Sequence, residues 1–458
     1  MIPCPGCGAG MVFDIAGQNL KCNYCGTTQD VKDAPDDRSA SPDIMDVTAF
    51  TCPQCGGEIL STDNEASSFC TFCGASVMLE GRLTKARRPL YIIPFKKTKE
   101  DCKQIYGELT KKAWFAPKAL KDPEYLEKFR GIYLPFWTYS FDQKGQTNLK
   151  GSRESGNYTE TLALTCDLDV SYDGISYDAS SAFNDDLCRF ITPFNRSSME
   201  PFLPGYMSGF YADAADVDSA VYIQDAEKDA NEETFKKLKR QYPGVSIEKP
   251  KNLTASLHTR MTDVTMAMYP VWFLTYRMED RVAYAVVNAE TGKIAADLPV
   301  ERKKYIIGSL ILAIPIFLLL VLLPVITAPT MLLIASIMSI AAFAIFLLSS
   351  SEIKRRENRL NDKGYQAALQ DARVQKVMMA GSETNENKSI ALVRTVLSLI
   401  AGATGFVIWF VAPVSDIYYY GAALVIMVCV CFTLLGLIKR FNLLTTRPVP
   451  EFFDRGGK

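Results

Sequence analysis

Histidine is almost absent from this chain, since His258 is the only one among 458 residues. It lies far along the sequence from the cysteine pairs described below, so a catalytic metal site of mixed Cys and His ligands is not expected. No nucleophile with a neighbouring base and no pair of catalytic carboxylates emerges either, and we predict that the chain is not an enzyme. A Gly-x4-Gly-Lys-[Ser/Thr] loop, which would cradle a phosphate, is also absent.

The chain carries almost no net charge, because 50 Lys and Arg stand against 51 Asp and Glu, a formal charge of -1. This balance gives no general attraction toward nucleic acid or anionic lipid. The first residues contain neither the basic nor the apolar segment of a signal peptide, which predicts a cytosolic N-terminus. In a reducing compartment, the thirteen cysteines are not expected to form disulfides.

The most specific pattern that the sequence does contain is a cysteine repeat. Eight cysteines form four Cys-x-x-Cys pairs, and each pair is followed directly by glycine. Fourteen residues separate the two pairs of each unit, and the second unit repeats the first at an offset of 48. The candidate metal ligands are Cys4, Cys7, Cys22 and Cys25 in the first unit, and Cys52, Cys55, Cys70 and Cys73 in the second.

These turns are typical of zinc knuckles, because glycine relieves the left-handed conformation that such a turn requires. Two knuckles supply four thiolates for one tetrahedral zinc ion at about 2.3 Å, so we predict two structural zinc ions. A redox cysteine pair or an iron cluster is the alternative, but neither predicts two equal units with a glycine after every pair. Each unit is too small to fold on its own core, and metal binding is expected to supply its folding free energy.

The charge of the cysteine-rich segment bears on its partner. Residues 1–89 contain seven basic and eleven acidic side chains, and each four-thiolate zinc centre adds about two negative charges. Nucleic-acid affinity comes largely from the neutralisation of phosphates by basic residues. The net negative charge of this segment therefore opposes nucleic-acid binding. We favour protein docking or a structural cap, with nucleic-acid binding as the alternative.

Four long apolar runs follow residue 300. They cover residues 305–323, 330–348, about 395–412 and 417–438. Each is near the roughly 20 residues that a helix needs to cross the hydrocarbon core, and only helices or closed barrels satisfy their backbone groups there. A buried hairpin in a soluble core is the alternative, but four such runs would need a very large soluble shell.

Basic residues flank these runs, whereas the two short links between paired runs contain no Lys or Arg. The flanking residues are Arg302, Lys303, Lys304, Lys354, Arg355, Arg356, Arg394, Lys439 and Arg440. By the positive-inside rule these flanks are cytoplasmic, which predicts two helical hairpins with both termini inside. The spans hold no Asp, Glu, Lys or His at depth, which disfavours a pump or carrier. Small residues four apart, Ala335 with Ser339 and Ala401 with Gly405, suit close helix packing.

Residues 90–300 show an α+β pattern. Strands are predicted at 91–95, 131–139, 162–170 and 268–276, and a hairpin at 281–295. A helix is predicted after Thr98, which forms a capping box with Asp101, and another within 221–242. Cys102 is expected on the buried face of the first helix, as a core residue. The aromatic stripes are expected to be core, with a ligand groove as the alternative.

These observations predict a multidomain chain with two small zinc ribbons (β), an α+β cytosolic domain and an all-α membrane domain of four transmembrane helices. The predicted boundaries are 1–32 for the first ribbon, 33–47 for a mobile linker, 48–82 for the second ribbon, 90–300 for the α+β domain, 305–349 for the first hairpin, 352–392 for a cytosolic connector, 394–440 for the second hairpin and 441–458 for a cytosolic tail.

The order of motifs is similar to that of a known family. The knuckles lead into Tyr-Ile-Ile-Pro-Phe at 91–95, Trp-Phe-Ala-Pro-Lys at 114–118, Leu-Pro-Phe-Trp at 134–137, Pro-Val-Trp at 270–272 and Asn-Ala-Glu-Thr-Gly-Lys at 288–293, and then into a membrane anchor. The chain thereby resembles the bacterial TFIIB-type zinc-ribbon membrane proteins, sometimes labelled replication-restart-helicase-like. The absent phosphate loop speaks against the helicase label.

The resemblance is closest to members encoded beside a phage-shock protein A homologue and an SPFH/virion-core-like protein. It implies recruitment of that stress protein to the bacterial cell membrane, with the SPFH-like protein and a second related membrane zinc-ribbon or anchor subunit as further partners beside the membrane lipids. We therefore predict a membrane-anchored zinc-ribbon scaffold that docks cytosolic proteins. A membrane-linked nucleic-acid-binding protein and a small transporter subunit are the competing functions.

Overall fold

The computed structural model describes residues 2–35, 43–61, 70–76, 80–322, 327–369 and 388–450. Its strands are β1 (Ile2–Pro3), β2 (Gly10–Asp14), β3 (Asn19–Cys22), β4 (Thr28–Gln29), β5 (Ile44–Thr51), β6 (Glu58–Ser61), β7 (Glu80–Arg87), β8 (Tyr91–Ile92), β9 (Arg130–Ser155), β10 (Tyr158–Asp178), β11 (Glu200–Pro201), β12 (Tyr211–Asp213), β13 (Ser246–Ile247), β14 (Thr259–Met278), β15 (Arg281–Asn288), β16 (Ile294–Ala296) and β17 (Arg447–Pro448).

Its α-helices are α1 (Lys99–Lys112), α2 (Pro123–Leu126), α3 (Asp185–Ile191), α4 (Ile223–Gln241), α5 (Leu253–Ser256), α6 (Arg302–Leu322), α7 (Ala328–Glu357), α8 (Lys363–Leu369), α9 (Lys388–Val411) and α10 (Asp416–Leu444). Short 3-10 turns lie at Val31–Asp33, Lys118–Lys121, Arg196–Ser198, Pro204–Met207 and Ser219–Tyr222.

Two long antiparallel strands, β9 and β14, organise the α+β domain. Met268 of β14 lies opposite Pro135 of β9, so the two predicted aromatic strands are neighbours in one sheet. β10 folds back antiparallel along β9, and β15 continues the hairpin from β14. The domain is therefore a mixed sheet with helices packed against it, as the α+β prediction requires.

The aromatic stripes form the core of this sheet, which confirms the prediction. The Phe95 ring stacks on Phe210 with centroids 4.2 Å apart. The indole of Trp137 donates to the Val217 carbonyl at 2.9 Å, and that of Trp272 donates to the Lys97 carbonyl at 2.8 Å. Both indoles are buried, and each buried N–H has the partner that burial demands.

The predicted capping box at the start of α1 is also confirmed. The Thr98 hydroxyl accepts from the Asp101 amide at 3.2 Å, and the Asp101 carboxylate accepts from the Thr98 amide at 2.9 Å. Two amides that the first helical turn leaves unpaired are thereby satisfied. Cys102 is fully buried, as expected for a core cysteine.

The two cysteine units differ in how they join the domain. Strands β1 to β4 form a separate four-stranded sheet, whereas β5, β6 and β7 belong to the large sheet through β12, with Ser61 opposite Tyr211. The predicted linker of 33–47 is consequently too long, since β5 begins at Ile44. Met45 and Val47 are buried on its inner face, a pattern that the acidic surroundings hid in the sequence. Residues 36–42 lie outside the described residues.

Within the described chain, α7 and α10 are the helices long and apolar enough to cross a membrane, and the apolar part of α9, Val396–Val411, is shorter. Small residues pack between these helices, and the Ser339 hydroxyl donates to the Ser398 carbonyl at 2.7 Å. Gly405 lies against Ser336 and Leu332, so the predicted small-residue packing is confirmed. Large apolar side chains such as Leu348 and Phe410 point outward. These features indicate membrane association.

The last apolar helix is fastened to the α+β domain. The Arg281 guanidinium pairs with Glu357 at 3.1 Å, at the end of α7, and donates to the Leu443 carbonyl at 3.1 Å, at the end of α10. β17 follows α10 and pairs with β15. The first part of the predicted tail, 441–458, is thus a helix end and an edge strand, whereas 451–458 lie outside the described residues.

The predicted connector of 352–392 begins inside α7, which runs to Glu357, and then includes α8. Its segment 370–387 lies outside the described residues. Ahead of that segment, the backbone amides of Lys363 and Gly364 donate to Asp185 at 3.1 Å and to the Tyr222 hydroxyl at 2.8 Å. The first part of the connector is therefore held against α3 of the α+β domain.

Candidate metal centres

The first metal centre, M1, is formed by the four predicted cysteines of the first unit. Their sulfurs all lie within 4.8 Å of one another. The Sγ atoms of Cys4 and Cys25 are 3.5 Å apart, and those of Cys7 and Cys22 are 3.6 Å apart. A tetrahedron with metal–sulfur distances of about 2.3 Å has edges of about 3.8 Å, so this group can hold one ion.

The second metal centre, M2, has nearly the same geometry. The Sγ atoms of Cys52 and Cys73 are 3.8 Å apart, and those of Cys55 and Cys70 are 3.7 Å apart. All four sulfurs again lie within 4.8 Å of one another. The structure thus brings together each set of four cysteines that the sequence spacing predicted, and this group could also hold one ion.

The glycine after each cysteine pair has the predicted left-handed backbone. The φ angles are +75°, +77°, +70° and +70° at Gly8, Gly26, Gly56 and Gly74. Each of these amides donates to the carbonyl of the first cysteine of its pair, as in Gly56 to Cys52 at 2.8 Å. A residue with a Cβ would be strained in this region, and the turn aims both thiols of a pair at the same point.

The two centres differ in burial. In M1, Cys4 and Cys22 are buried, whereas Cys7 and Cys25 are exposed. In M2 all four cysteines are buried, with at most 4% of each residue exposed. The Thr27 hydroxyl lies 3.1 Å from the Cys25 sulfur, and the hydrogen bonds from Thr27 lower the pKa of Cys25 to about 6.

M1 sits at the edge of the molecule. Its sheet is attached through the 3-10 turn Pro204–Met207, where the Ser208 hydroxyl donates to the Met11 carbonyl at 2.5 Å and the Phe13 ring contacts Tyr206 at 5.4 Å. The Gln18 amide adds one bond to the Phe95 carbonyl at 2.8 Å. These contacts hold the sheet of the ribbon and leave the second knuckle, with Tyr24, in solvent.

M2 sits against the central sheet, where its second knuckle is held by residues of β14 and β15. The Tyr284 hydroxyl donates to the Phe72 carbonyl at 2.8 Å, and the Arg277 guanidinium donates to the Cys73 carbonyl at 3.3 Å. Thr275 donates to the Thr71 carbonyl as well. The same strands carry Arg281, which binds the ends of α7 and α10. M2 therefore lies in the part of the domain that joins the apolar helices.

Other cysteines belong to packing and not to the two centres. Cys102, Cys166 and Cys188 are buried in the α+β domain, and burial raises the pKa of Cys102 to about 12. The histidine, His258, lies on the β9 side, where a ring nitrogen is 2.9 Å from the Gln146 carbonyl. Neither M1 nor M2 contains it, as the sequence predicted.

Sequence reasoning missed a group of carboxylates where the connector meets the domain. Asp178 and Asp362 are buried, and Asp185 lies beside them. Burial and the charges of Asp185 and Asp362 raise the pKa of Asp178 well above its usual range. Burial and the charge of Asp362 raise the pKa of Asp185 to about 6. The three residues are distant in sequence, and no spacing pattern could have joined them.

Comparison with known proteins gives one relative and no family. Neither a protein-family model nor a solved structure matches this chain. A Bacillus subtilis (strain 168) protein, described as the uncharacterized protein YdjG, is 24% identical over 311 residues. The aligned region covers 66% of this chain and 90% of that protein. The chain is similar to that protein over most of the latter's length, but the similarity carries no functional assignment.

Proposed function

We propose that this protein is a membrane-anchored scaffold whose two zinc centres shape a cytosolic surface for docking other proteins. The observation that carries the proposal is the exposed knuckle of M1, presented at the edge of a domain that is fastened to the apolar helices.

Zinc is the metal proposed for both centres. Four thiolates in tetrahedral arrangement suit zinc or an iron–sulfur site, and the repeated Cys-x-x-Cys-Gly units favour zinc. Four protein ligands close the coordination sphere and leave no position for a water or a substrate. The ions would therefore act on folding and shape, and the cysteines would hold them without taking part in a reaction.

The proposed topology has four spans, α6, α7, α9 and α10, with both termini in the cytoplasm of a bacterial cell. It is supported by the contacts of three helix ends with one domain. The Glu301 amide, just before α6, donates to the Phe115 carbonyl at 2.7 Å, and Arg281 binds the ends of α7 and α10. Two hairpins would put all three ends on the same side of the bilayer, where the basic flanks are expected.

The proposed docking surface is the exposed knuckle of M1. Tyr24 is 84% exposed there, between Asn23 and the ligand Cys25. A metal-closed turn holds such an aromatic side chain in a fixed position, so little conformational entropy is lost when a partner covers it. Tyrosine is also a residue type enriched among the energetically important contacts of protein interfaces.

The proposed partner is a phage-shock-type membrane-stress protein, with an SPFH/virion-core-like protein as a second candidate. This identity rests on the resemblance of the motifs and not on the geometry. Tethering the partner to a membrane protein would raise its effective concentration at the bilayer surface.

The experiment measures how much of a fluorescent phage-shock protein A homologue is bound to the membrane in cells. Tyr24→Ser should lower the bound fraction severalfold, because it removes the main exposed aromatic contact. Tyr158→Ser is the matched control, since Tyr158 is 82% exposed at the distant tip between β9 and β10, and it should have no effect.

A variant that lacks residues 2–35 should no longer recruit the phage-shock protein A homologue, while the variant itself stays in the membrane fraction. Removing residues 1–89 would be a poorer test, because β5 to β7 belong to the central sheet. A partner that is equally membrane-bound in a strain without this protein would contradict the scaffold function.

A further inference from the structure

The segment from the end of α1 through the 3-10 turn Lys118–Lys121 has an unusual surface. Residues 111–121, here called the Trp114 loop, contain four lysines, one Trp and one Phe, and no acidic residue. Lys111, Lys112, Lys118 and Lys121 are exposed. Trp114 is 80% exposed, so a large apolar side chain and four exposed lysines share one short segment.

The loop is fixed to the start of α6. The Phe115 ring contacts the Tyr305 ring at 5.4 Å, and it packs so closely on Gly308 that a Cβ there would lie 2.6 Å from Phe115. The Lys304 ammonium donates to the Ala116 carbonyl at 2.6 Å. Leu120 and Ala116 are buried in the α+β domain. The position of Trp114 relative to α6 is therefore set by contacts on both sides.

The site of attachment is where the apolar stretch of α6 begins. Arg302 and Lys303 are exposed in the first turn of the helix, and Tyr305 opens its apolar run. The basic residues of the loop thus add to those of the helix and form one cationic surface, although about 180 residues separate them in the sequence. Glu301, the acidic residue at this point, is paired with Lys304 at 3.0 Å.

We infer that the Trp114 loop is a membrane-interface anchor that inserts Trp114 among anionic phospholipid headgroups. The inference rests on the proposed membrane insertion of the α6 to α10 region. Indole rings prefer the headgroup level of a bilayer, and lysines near an anionic surface are attracted to it. The loop fixes the tilt of the α+β domain on the bilayer, because it contacts lipid at a point separate from the helices.

Intrinsic fluorescence of the full-length protein in lipid vesicles tests the inference. The chain has four Trp, and two of them, Trp137 and Trp272, are buried in the α+β domain. They give a background that lipid cannot quench. The other two are Trp114 and Trp409, and the latter lies in α9 with 40% of its surface exposed. The variants Trp114→Phe and Trp409→Phe isolate each contribution by difference.

Vesicles are prepared from phosphatidylglycerol or from phosphatidylcholine, each with bromine atoms on the acyl chain near the headgroup. We expect bromine to quench the Trp114 component in phosphatidylglycerol vesicles, and at least about twofold less in phosphatidylcholine. The double variant Lys111→Glu/Lys118→Glu should reduce the quenching in phosphatidylglycerol to the level in phosphatidylcholine. The Trp409 component should be quenched in both lipids and in all variants that retain Trp409.

The outcomes separate this inference from the membrane assignment itself. Quenching of Trp409 without quenching of Trp114, or equal quenching of Trp114 in the two lipids, would overturn the anchor and leave the membrane insertion standing. Absence of quenching at both Trp114 and Trp409 would instead contradict the insertion of the helices.

Discussion

M1 and M2 have almost the same sequence motif and ligand geometry but different surroundings. Two ligands of M1 are exposed and its strands form a separate sheet, although apolar side chains of the ribbon such as Met11 and Leu20 pack into the main core of the α+β domain. The ligands of M2 are buried, and its second knuckle is bound to β14 and β15. Two metal sites of one chemical type can thus differ in the burial of their ligands, and the strands that pack against each knuckle make the difference.

The largest effect is expected when one cysteine ligand of each centre is replaced and the two variants are compared. Cys73→Ser should remove the M2 ion and lower the stability of the whole α+β domain by at least about 4 kcal/mol, because metal binding contributes directly to folding. The matched variant Cys25→Ser should remove the M1 ion and reduce exchange protection mainly in residues 2–35, whose strands form a separate sheet. Metal analysis and hydrogen exchange of the full chain measure both.

Equal loss of protection across the α+β domain in the Cys25→Ser and Cys73→Ser variants would contradict the different roles of M1 and M2. Each variant should retain about one metal ion per chain. A serine variant that still holds two ions would show that three thiolates are sufficient at that centre.

The glycines of the knuckles provide a finer comparison. Gly26→Ala should lower the free energy of unfolding by about 1 kcal/mol, because a residue with a Cβ is strained in the left-handed region. The added Cβ itself would meet nothing within 4 Å. Gly74→Ala should lower the free energy of unfolding by about 2–3 kcal/mol, because the added Cβ would also lie 3.2 Å from Thr275 and 3.3 Å from Arg277. Thermal unfolding with both metals bound measures the two changes. Equal losses of stability would show that the neighbours of Gly74 have no effect.

Removal of metal by a chelator should follow the burial of the ligands. We expect two phases, with M1 losing its ion at least about tenfold faster than M2, since a tenfold change corresponds to about 1.4 kcal/mol in the barrier. Cys7 and Cys25 are open to the chelator, whereas M2 requires local opening of the domain first. A Cys25→Ser protein should lack the fast phase. A single phase in the wild type would contradict this difference.

The smallest expected effect concerns the carboxylates on the M2 side of the molecule. The pKa of Asp178 is raised by burial, so the folded state keeps a proton that the unfolded chain releases near pH 4. The stability linked to this proton is fully present below pH 4 and is lost as the pH rises toward the raised pKa. Asp178→Asn should therefore increase stability at pH 8 by about 1 kcal/mol or more.

Denaturant unfolding between pH 6 and pH 9 measures this effect, because the variant should also flatten the dependence of stability on pH. The exchange protection of residues 2–35 should not change, since M1 lies away from Asp178. A variant that is less stable than the wild type at pH 8 would contradict the sign of the prediction.

Much of the site could be predicted because its determinants are local. The spacing of the cysteine pairs specifies both ligand sets, and the glycine after each pair specifies the left-handed turn at Gly8, Gly26, Gly56 and Gly74. Thr98 and Asp101 specify the cap of α1 in the same way. In each case the interacting groups are within a few residues of each other, or repeat at a fixed offset. Local backbone geometry then brings them into contact.

The apolar runs were equally visible, since composition alone shows that 330–348 and 417–438 suit a membrane. The described helices support two spans by length and composition, and the full set of four spans and their orientation stay predictions. Protein docking, the identity of the metal as zinc and the membrane-stress partner likewise stay proposals, each with the experiment given above.

The sequence by itself determined the candidate metal ligands, the cap of α1, the strand periodicity and the apolar runs, because these depend on neighbours in the chain. Only the tertiary structure decided that the second ribbon belongs to the central sheet, since the pairing of Ser61 with Tyr211 joins residues 150 positions apart. The fold likewise decided which centre is buried and that Arg281 holds the ends of α7 and α10. Such contacts depend on which surfaces meet in space, and no local pattern of residues encodes them.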